Sequence, residues 1–196
     1  GQESIINSIL SEKDVLAIMP TGGGKSICYQ IPALILDGMT IVISPLISLM
    51  KDQVDALKTM GISAAFINSS LSSKEFNEIL NNIRKNNYKI LYIAPERLDA
   101  QEFIELINNN NVSQVAIDEA HCVSQWGHDF RLSYRRISDF IKNLPKRPIV
   151  TAFTATASEE VRTDIINLLC LENPDYYITG FDRELSLIHI SEPTRH

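Results

Sequence analysis

Residues 15–26 read VLAIMPTGGGKS, and this stretch decides the fold of the chain. Its first five residues are apolar and of strand length, whereas the segment from Lys25 onward has the apolar spacing of a helix. Between them, consecutive glycines allow a turn whose backbone N–H groups all point inward, which a Cβ would obstruct. The stretch therefore predicts a strand, a glycine-rich turn and a helix, the arrangement that binds phosphate at a helix N-terminus.

The turn predicts a nucleoside triphosphate, ATP, with Mg²⁺. Lys25 is placed to reach the β and γ phosphates, and the Ser26 hydroxyl suits Mg²⁺. The strict phosphate-loop pattern has glycine where this chain has Met19. That departure leaves the predicted mechanism of phosphate binding unchanged. The predicted nucleotide-binding residues of the turn are Thr21, Gly22, Gly23, Gly24, Lys25 and Ser26.

Strand-length apolar runs alternate with amphipathic segments along almost the whole sequence. Several of these runs are apolar throughout, as expected when both faces of a parallel sheet are covered. The predicted strands are residues 15–19, 40–44, 64–67, 89–94, 114–117, 149–153 and 176–179. The predicted helices are residues 2–10, 25–36, 46–60, 72–86, 96–108, 132–143 and 158–169. The repeated units predict an α/β fold with a doubly wound, mostly parallel sheet.

A second motif, Asp118-Glu119-Ala120-His121, follows the buried run 115–117. The carboxyl end of a central strand lies beside the loop that follows the first strand. We therefore expect Asp118 to share Mg²⁺ with Ser26, and Glu119 to polarise the attacking water. The two motifs together predict nucleoside-triphosphate hydrolysis.

His121 comes directly after the carboxylate pair, so the sequence favours a role next to the reacting groups. Its expected hydrogen-bond partners are Thr154 and Thr156, which end a neighbouring predicted strand. Lys25, Asp118, Glu119 and His121 are thus the predicted catalytic residues.

The composition limits the class of protein. The chain has 196 residues, 44% apolar and 21% charged, which is typical of a globular domain. Eighteen basic against 24 acidic residues give a net charge of −6, so attraction to nucleic acid must come from a local patch. No apolar run reaches the roughly 18 residues of a membrane span, and no membrane partner is expected. Three distant cysteines predict reduced thiols and a cytoplasmic location, and no Cys/His spacing suits zinc.

An aromatic segment lies shortly after His121. The residues around these aromatic side chains are mostly polar, which is uncommon in a hydrophobic core. Exposed aromatic rings can stack on unpaired bases. Residues 131–147 add a local excess of basic side chains, which is equally compatible with a solvated helix face. The predicted nucleic-acid-binding residues of the segment are Trp126, His128, Phe130 and Arg131.

These motifs resemble those of the RecQ family of DNA helicases in superfamily 2. MPTGGGKS resembles motif I, DEAH motif II and TAFTATA (151–157) motif III. VISPLISLMKDQV (42–54) resembles motif Ia, and ILYIAPERL (90–98) the DNA-contact motif that follows it. SQWGHDFR (124–131) resembles the aromatic-rich loop that marks RecQ proteins. The resemblance covers nearly all of residues 1–184.

The resemblance implies that residues 1–184 form the first of two RecA-like lobes of a 3′–5′ DNA helicase. The implied partners are single-stranded and forked DNA and a second lobe that carries an arginine finger. It implies that Gln2 reads adenine. The short spacing between the Asp118 motif and the aromatic segment predicts that Thr154 and Thr156 couple the nucleotide site to the DNA site. The expected compartment is the bacterial cytoplasm. Further implied DNA contacts are Ser44, Lys51, Gln53, Glu96 and Arg97.

The chain also departs from the family pattern. The aromatic and arginine that usually precede Gly-Gln are missing, so the chain is expected to be truncated at its N-terminus. Leu132 stands where many members have proline. Residues 185–196 resemble a read-through translation of a sequencing adapter, and we expect this tail to be non-native.

Other functions remain compatible with parts of this sequence. An RNA helicase or another DEAH-type translocase would share the two nucleotide motifs. A small-molecule kinase would share the phosphate loop, but it would have no DNA-contact segment between Gly61 and Asp118. A non-catalytic nucleic-acid-binding fragment is a further alternative.

Overall fold

Seven parallel strands form the central sheet of the computed structural model, which describes residues 1–180. The strands are β1 (Val15–Ile18), β2 (Met39–Ile43), β3 (Ala64–Ile67), β4 (Ile90–Ile93), β5 (Val112–Ile117), β6 (Ile149–Thr154) and β7 (Asp175–Ile178). Their order across the sheet is β3-β4-β2-β5-β6-β1-β7. The predicted α/β fold with a parallel sheet is confirmed.

Helices cover both faces of the sheet because alternate strand residues point to opposite sides. The helices are α1 (Gln2–Leu10), α2 (Lys25–Ile35), α3 (Ile47–Thr59), α4 (Ser73–Arg84), α5 (Gln101–Ile107), α6 (Arg136–Asn143) and α7 (Glu159–Leu168). Val15 and Ala17 pack with α1–α3, whereas Leu16 and Ile18 belong to the core cluster of α4–α7. The predicted double winding is therefore confirmed.

Two predicted helices begin later than expected. The segment predicted to be helical from residue 96 starts with a 3₁₀ turn, Pro95–Arg97, and α5 begins only at Gln101. Side chains three residues apart lie on the same side of a 3₁₀ turn, so Pro95 and Leu98 are both buried. In the same way, the 3₁₀ turn Leu132–Arg135 precedes α6.

The sheet brings the predicted site segments to one edge. Met19 N donates to Thr154 O, and Asp118 N donates to Ile43 O, both at 2.9 Å. The glycine turn, the Asp118 motif and the end of β6 therefore meet at the carboxyl ends of adjacent strands, where α/β proteins bind ligands.

Three further expectations concern the tail, a membrane span and the cysteines. The expected non-native tail, residues 185–196, lies outside the described residues. Among residues 1–180, no helix combines the length and apolarity that a membrane span requires. The three cysteines are free thiols, as predicted.

Candidate active site

The glycine turn connects β1 to α2 and has the geometry that the sequence predicts. Gly22 and Gly24 have φ of 80° and 78°, in the left-handed region that favours glycine. A Cβ on Gly23 would lie 2.9 Å from Pro20 O, so a side chain there would force the turn apart. The turn closes with Gly23 N donating to Pro20 O, and α2 begins at Lys25.

Gln2 lies against this turn. Its Nε2 donates to Gly23 O at 3.0 Å, and a Cβ on Gly24 would collide with the same amide. The structure thus brings Gln2 to the nucleotide-binding turn, whereas its contact with adenine stays a prediction.

The carboxylate pair faces the turn across the sheet edge. Lys25 Nζ lies 3.9 Å from Glu119 Oε1, and Asp118 Oδ1 accepts a hydrogen bond from Glu119 N at 3.0 Å. Glu119 has a φ of 48°, a left-handed conformation that is uncommon for a residue with a side chain. Strained backbone of this kind is typical of functional sites.

Asp118 has the electrostatic character of a metal ligand. Burial and, to a smaller extent, the neighbouring Glu119 raise its pKa to about 6, although Lys25 acts in the opposite direction. Tyr134 donates its hydroxyl to Asp118 O at 2.8 Å and so holds the backbone of the motif. Because a desolvated carboxylate is stabilised by a cation, Asp118 and the Ser26 hydroxyl fit a hard ion such as Mg²⁺.

His121 links the carboxylates to β6. Its Nδ1 lies 2.8 Å from Thr154 Oγ1 and 3.4 Å from Glu119 Oε2, while Thr154 Oγ1 donates to Thr156 O at 3.1 Å. The predicted contact with Thr154 is therefore present, and Thr156 takes part through its backbone carbonyl. Burial lowers the pKa of His121, so the imidazole is neutral at neutral pH.

The aromatic segment lies directly on His121. The His128 ring stacks on the His121 ring with centroids 4.6 Å apart and planes 14° from parallel. A Cβ on Gly127 would lie 2.7 Å from His121 O, so only glycine permits this approach. Trp126 is 77% exposed and is open to a stacking base. Arg135 covers the Phe130 ring at 5.7 Å.

The five remaining predicted DNA contacts differ in their exposure to solvent. Lys51 and Glu96 are exposed, whereas Ser44 is buried and accepts a hydrogen bond from a nearby backbone N–H. Arg97 lies 5.3 Å over the Phe76 ring, and its Nε is buried without a partner among the described residues. Gln53 is half-buried and faces α2. Their contacts with DNA stay predictions.

The sequence does not predict a series of hydrogen bonds that links polar side chains of α2, α3 and β4. Gln30 Nε2 donates to Gln53 Oε1 at 2.8 Å and to the Tyr92 hydroxyl at 2.9 Å. The Tyr92 hydroxyl lies 3.5 Å from that of Tyr29. The available signal was a polar residue within an otherwise apolar stretch of α2.

Comparison with known proteins places this geometry among helicases. The profile of the family described as DEAD/DEAH box helicase matches residues 1–164. The chain is 54% identical over 185 residues to the ATP-dependent DNA helicase RecQ of Bacillus subtilis, covering 94% of this chain and 31% of that protein. It is 51% identical over 183 residues to RecQ of Pasteurella multocida, covering 93% and 29%. The chain thus spans about a third of the length of these relatives.

Solved structures show the same fold at low identity. The helicase MrfA, solved with DNA and AMPPNP, superposes with a TM-score of 0.71 at 19% identity, covering 92% of this chain and 26% of that one. A hypothetical ATP-dependent RNA helicase from Sulfolobus tokodaii gives 0.69 at 23% identity, covering 91% and 51%. The predicted RecA-like fold is confirmed.

Proposed function

The chain belongs to the DEAD/DEAH box helicase family, and we propose that it is the ATP-binding lobe of a RecQ-type 3′–5′ DNA helicase that acts in the bacterial cytoplasm. One observation carries this proposal. A continuous line of side-chain contacts runs from the phosphate turn through Lys25, Glu119 and His121 to a loop with an exposed tryptophan. The line connects a nucleotide site to a surface that suits unpaired bases.

Nucleotide binding is assigned to the turn and to the carboxylate that faces it. The turn N–H groups and Lys25 hold the phosphates, and Gln2 is adjacent to the base. Ser26 and Asp118 would hold Mg²⁺, which neutralises charge on the phosphates when it is bound. Glu119 orients the attacking water.

Coupling is assigned to the contacts around His121. A base stacked on Trp126 restricts a loop whose His128 packs on His121, and His121 in turn lies beside Glu119. Base stacking of roughly 1–3 kcal/mol per base is sufficient to shift a two-state loop about 5- to 150-fold. Thr154 and Thr156 complete the relay at the end of β6.

The partners follow from the same assignment. Single-stranded and forked DNA bind along the exposed edge of the lobe, and the second RecA-like lobe supplies the arginine finger. An RNA helicase is the less favoured function, because the aromatic-rich loop and the high identity to RecQ proteins both favour DNA.

Two substitutions in the intact two-lobe protein test the proposal. We expect Lys25→Ala to raise the dissociation constant for Mg-ATP about tenfold or more, because it removes the cation that faces the phosphates. Glu119→Gln keeps nucleotide binding and loses hydrolysis, because Asp118 still provides the metal carboxylate. Titration calorimetry and steady-state ATPase assays separate the two effects, with Lys58→Ala and Glu78→Gln as exposed controls.

Two outcomes of these assays contradict the proposal. Unchanged affinity in Lys25→Ala rules out the phosphate role of this residue. ATPase activity that RNA stimulates as well as single-stranded DNA does would identify an RNA translocase instead.

A further inference from the structure

Three metal-ligating side chains meet between the Asp118 motif and the aromatic loop. The ligating atoms of His121, Cys122 and Asp129 all lie within 4.8 Å of one another. Cys122 Sγ is 3.9 Å from His121 Nε2 and 3.7 Å from Asp129 Oδ2. Neighbouring donors around a tetrahedral Zn²⁺ lie roughly 3.5 Å apart, given metal–ligand bonds of about 2.0–2.3 Å. Small side-chain shifts therefore complete such a site.

The hydrogen bonds of His121 leave the lone pair of its Nε2 available to bind a metal ion. Thr154 Oγ1 uses its proton on Thr156 O, so it accepts from His121 Nδ1–H. The Glu119 carboxylate lies on the same side, 3.4 Å from Nδ1. The lone pair is therefore on Nε2, which faces Cys122. A histidine ligand whose second nitrogen donates to a polar group is the usual arrangement at protein metal sites.

The charges of these side chains and the access of solvent to them also suit a divalent ion. A Cys122 thiolate and the Asp129 carboxylate would balance two positive charges, and the thiol proton would leave to solvent on binding. Cys122 and His121 are buried, whereas Asp129 is exposed, so the fourth position opens towards water. The Arg131 guanidinium lies 3.1 Å from the Asp129 carboxylate and would compete with a metal ion for it. Both side chains are substantially exposed, and an ion pair of this kind is weak.

We propose that His121 Nε2, Cys122 Sγ and the Asp129 carboxylate form a three-ligand site for a thiol-binding divalent transition metal ion, Zn²⁺ in the cell. The expectation that no zinc site exists considered only Cys/His spacing along the chain. The folded loop brings a carboxylate back to a His-Cys pair seven residues earlier, which that criterion could not detect. The bound ion tethers the loop that carries Trp126 to His121.

Cobalt titration of the whole chain tests the site, because Co²⁺ replaces Zn²⁺ and shows a thiolate charge-transfer band in the near ultraviolet. We expect one Co²⁺ per chain and displacement by Zn²⁺. Co²⁺ at Asp118 or at other histidines lacks this band, since no thiolate binds it there. Trp126 is the only tryptophan of the chain, so its fluorescence reports the same event.

Matched variants assign the ligands. Cys122→Ser should abolish the band, and Asp129→Asn should weaken Co²⁺ binding about tenfold or more and move the Trp126 response to correspondingly higher Co²⁺ concentration. Cys28→Ser and Cys170→Ser should behave as the unmodified chain. Asp129 is exposed, so its variant decides the question even if Cys122→Ser fails to fold. Absence of a band, a band that survives Cys122→Ser, or unchanged affinity in Asp129→Asn overturns the proposal.

Discussion

At the scale of the residue, the site has an ionisable side chain at a buried position, where an apolar residue would be more stable. Asp118 is 7% exposed at the end of a fully buried run of β5, and it lies beside a second carboxylate. Desolvation destabilises its ionised form, so the unliganded protein loses stability by keeping this residue. This cost is consistent with a residue retained for its metal and phosphate chemistry.

Asp118→Asn should therefore stabilise the unliganded protein. The folded pKa of about 6 lies above the unfolded value of 3.8, so the folded state binds more protons between these values. The cost of the charge is absent below pH 4 and fully present above pH 6. At pH 8 we expect the substitution to raise the free energy of unfolding by about 1–3 kcal/mol. Denaturant titrations at pH 4 and pH 8 measure this difference, and an equal effect at both values would contradict the burial argument.

At the scale of the element, the loop of residues 124–131 shows how a short segment is held while its functional side chain stays free. Ser124 Oγ donates to Asp164 on α7 at 2.6 Å and accepts from Trp126 N at 3.1 Å. Both ends of the loop are thus anchored near His121, since Arg131 N also donates to Cys122 O. The Trp126 ring itself remains available to a ligand.

Trp126→Ala should separate nucleotide binding from its response to DNA. In the intact protein we expect near-normal affinity for ATP but loss of most of the stimulation of ATPase by single-stranded DNA, because the stacking surface is removed. Arg131→Ala should also lower the salt dependence of DNA binding by about one unit of slope. The measurement is ATPase rate against DNA concentration, with Met60→Ala as the exposed control. Full stimulation in Trp126→Ala would make the loop purely structural.

The series of hydrogen bonds that links polar side chains of α2, α3 and β4 makes a prediction about stability. Gln30→Leu leaves Gln53 Oε1 and the Tyr92 hydroxyl without their donor, and should lower the free energy of unfolding by about 1–3 kcal/mol. Gln53→Leu in the same protein should recover part of this loss, since fewer polar groups are then unpaired. A double-mutant cycle by urea denaturation gives the coupling energy, and strictly additive effects would show that the two amides do not interact.

At the scale of the whole molecule, the site lies open at one edge of the sheet. Every catalytic candidate follows the carboxyl end of β1 or β5, and Thr154 at the end of β6 lies beside them. The relatives are about three times longer than the chain, which leaves room for the second lobe that the family resemblance implies.

Residues 1–184 on their own should bind nucleotide but hydrolyse it very slowly. Transfer of the γ-phosphoryl group gains on the order of 10³–10⁵ in rate from an arginine finger, which we assign to the proposed second lobe. We expect a comparable deficit relative to the intact protein, no stimulation by DNA and no unwinding. Single-turnover hydrolysis with both proteins measures the deficit. Robust DNA-stimulated turnover by residues 1–184 would mean that an arginine of this lobe completes the site.

Local patterns in the sequence determined the elements and the two nucleotide motifs. Glycine tolerance of positive φ predicts the turn at 22–24, and apolar runs predict the strands, because both effects act within a few residues. The capping box of Ser72 and Glu75 likewise predicts the start of α4, and the structure contains it. These features do not depend on what the rest of the chain does.

Only the tertiary structure decided which side chains meet and which way they point. The order of the strands places β6 between β5 and β1, which accounts for the expected contact between Thr154 and His121. The fold of the loop returns Asp129 to Cys122, a contact that the sequence does not predict. The amide oxygen of Gln53 accepts from Gln30 on α2, a contact that the sequence does not indicate. Contacts between distant residues depend on packing across the sheet, and the periodicity of one segment carries no information about its partner.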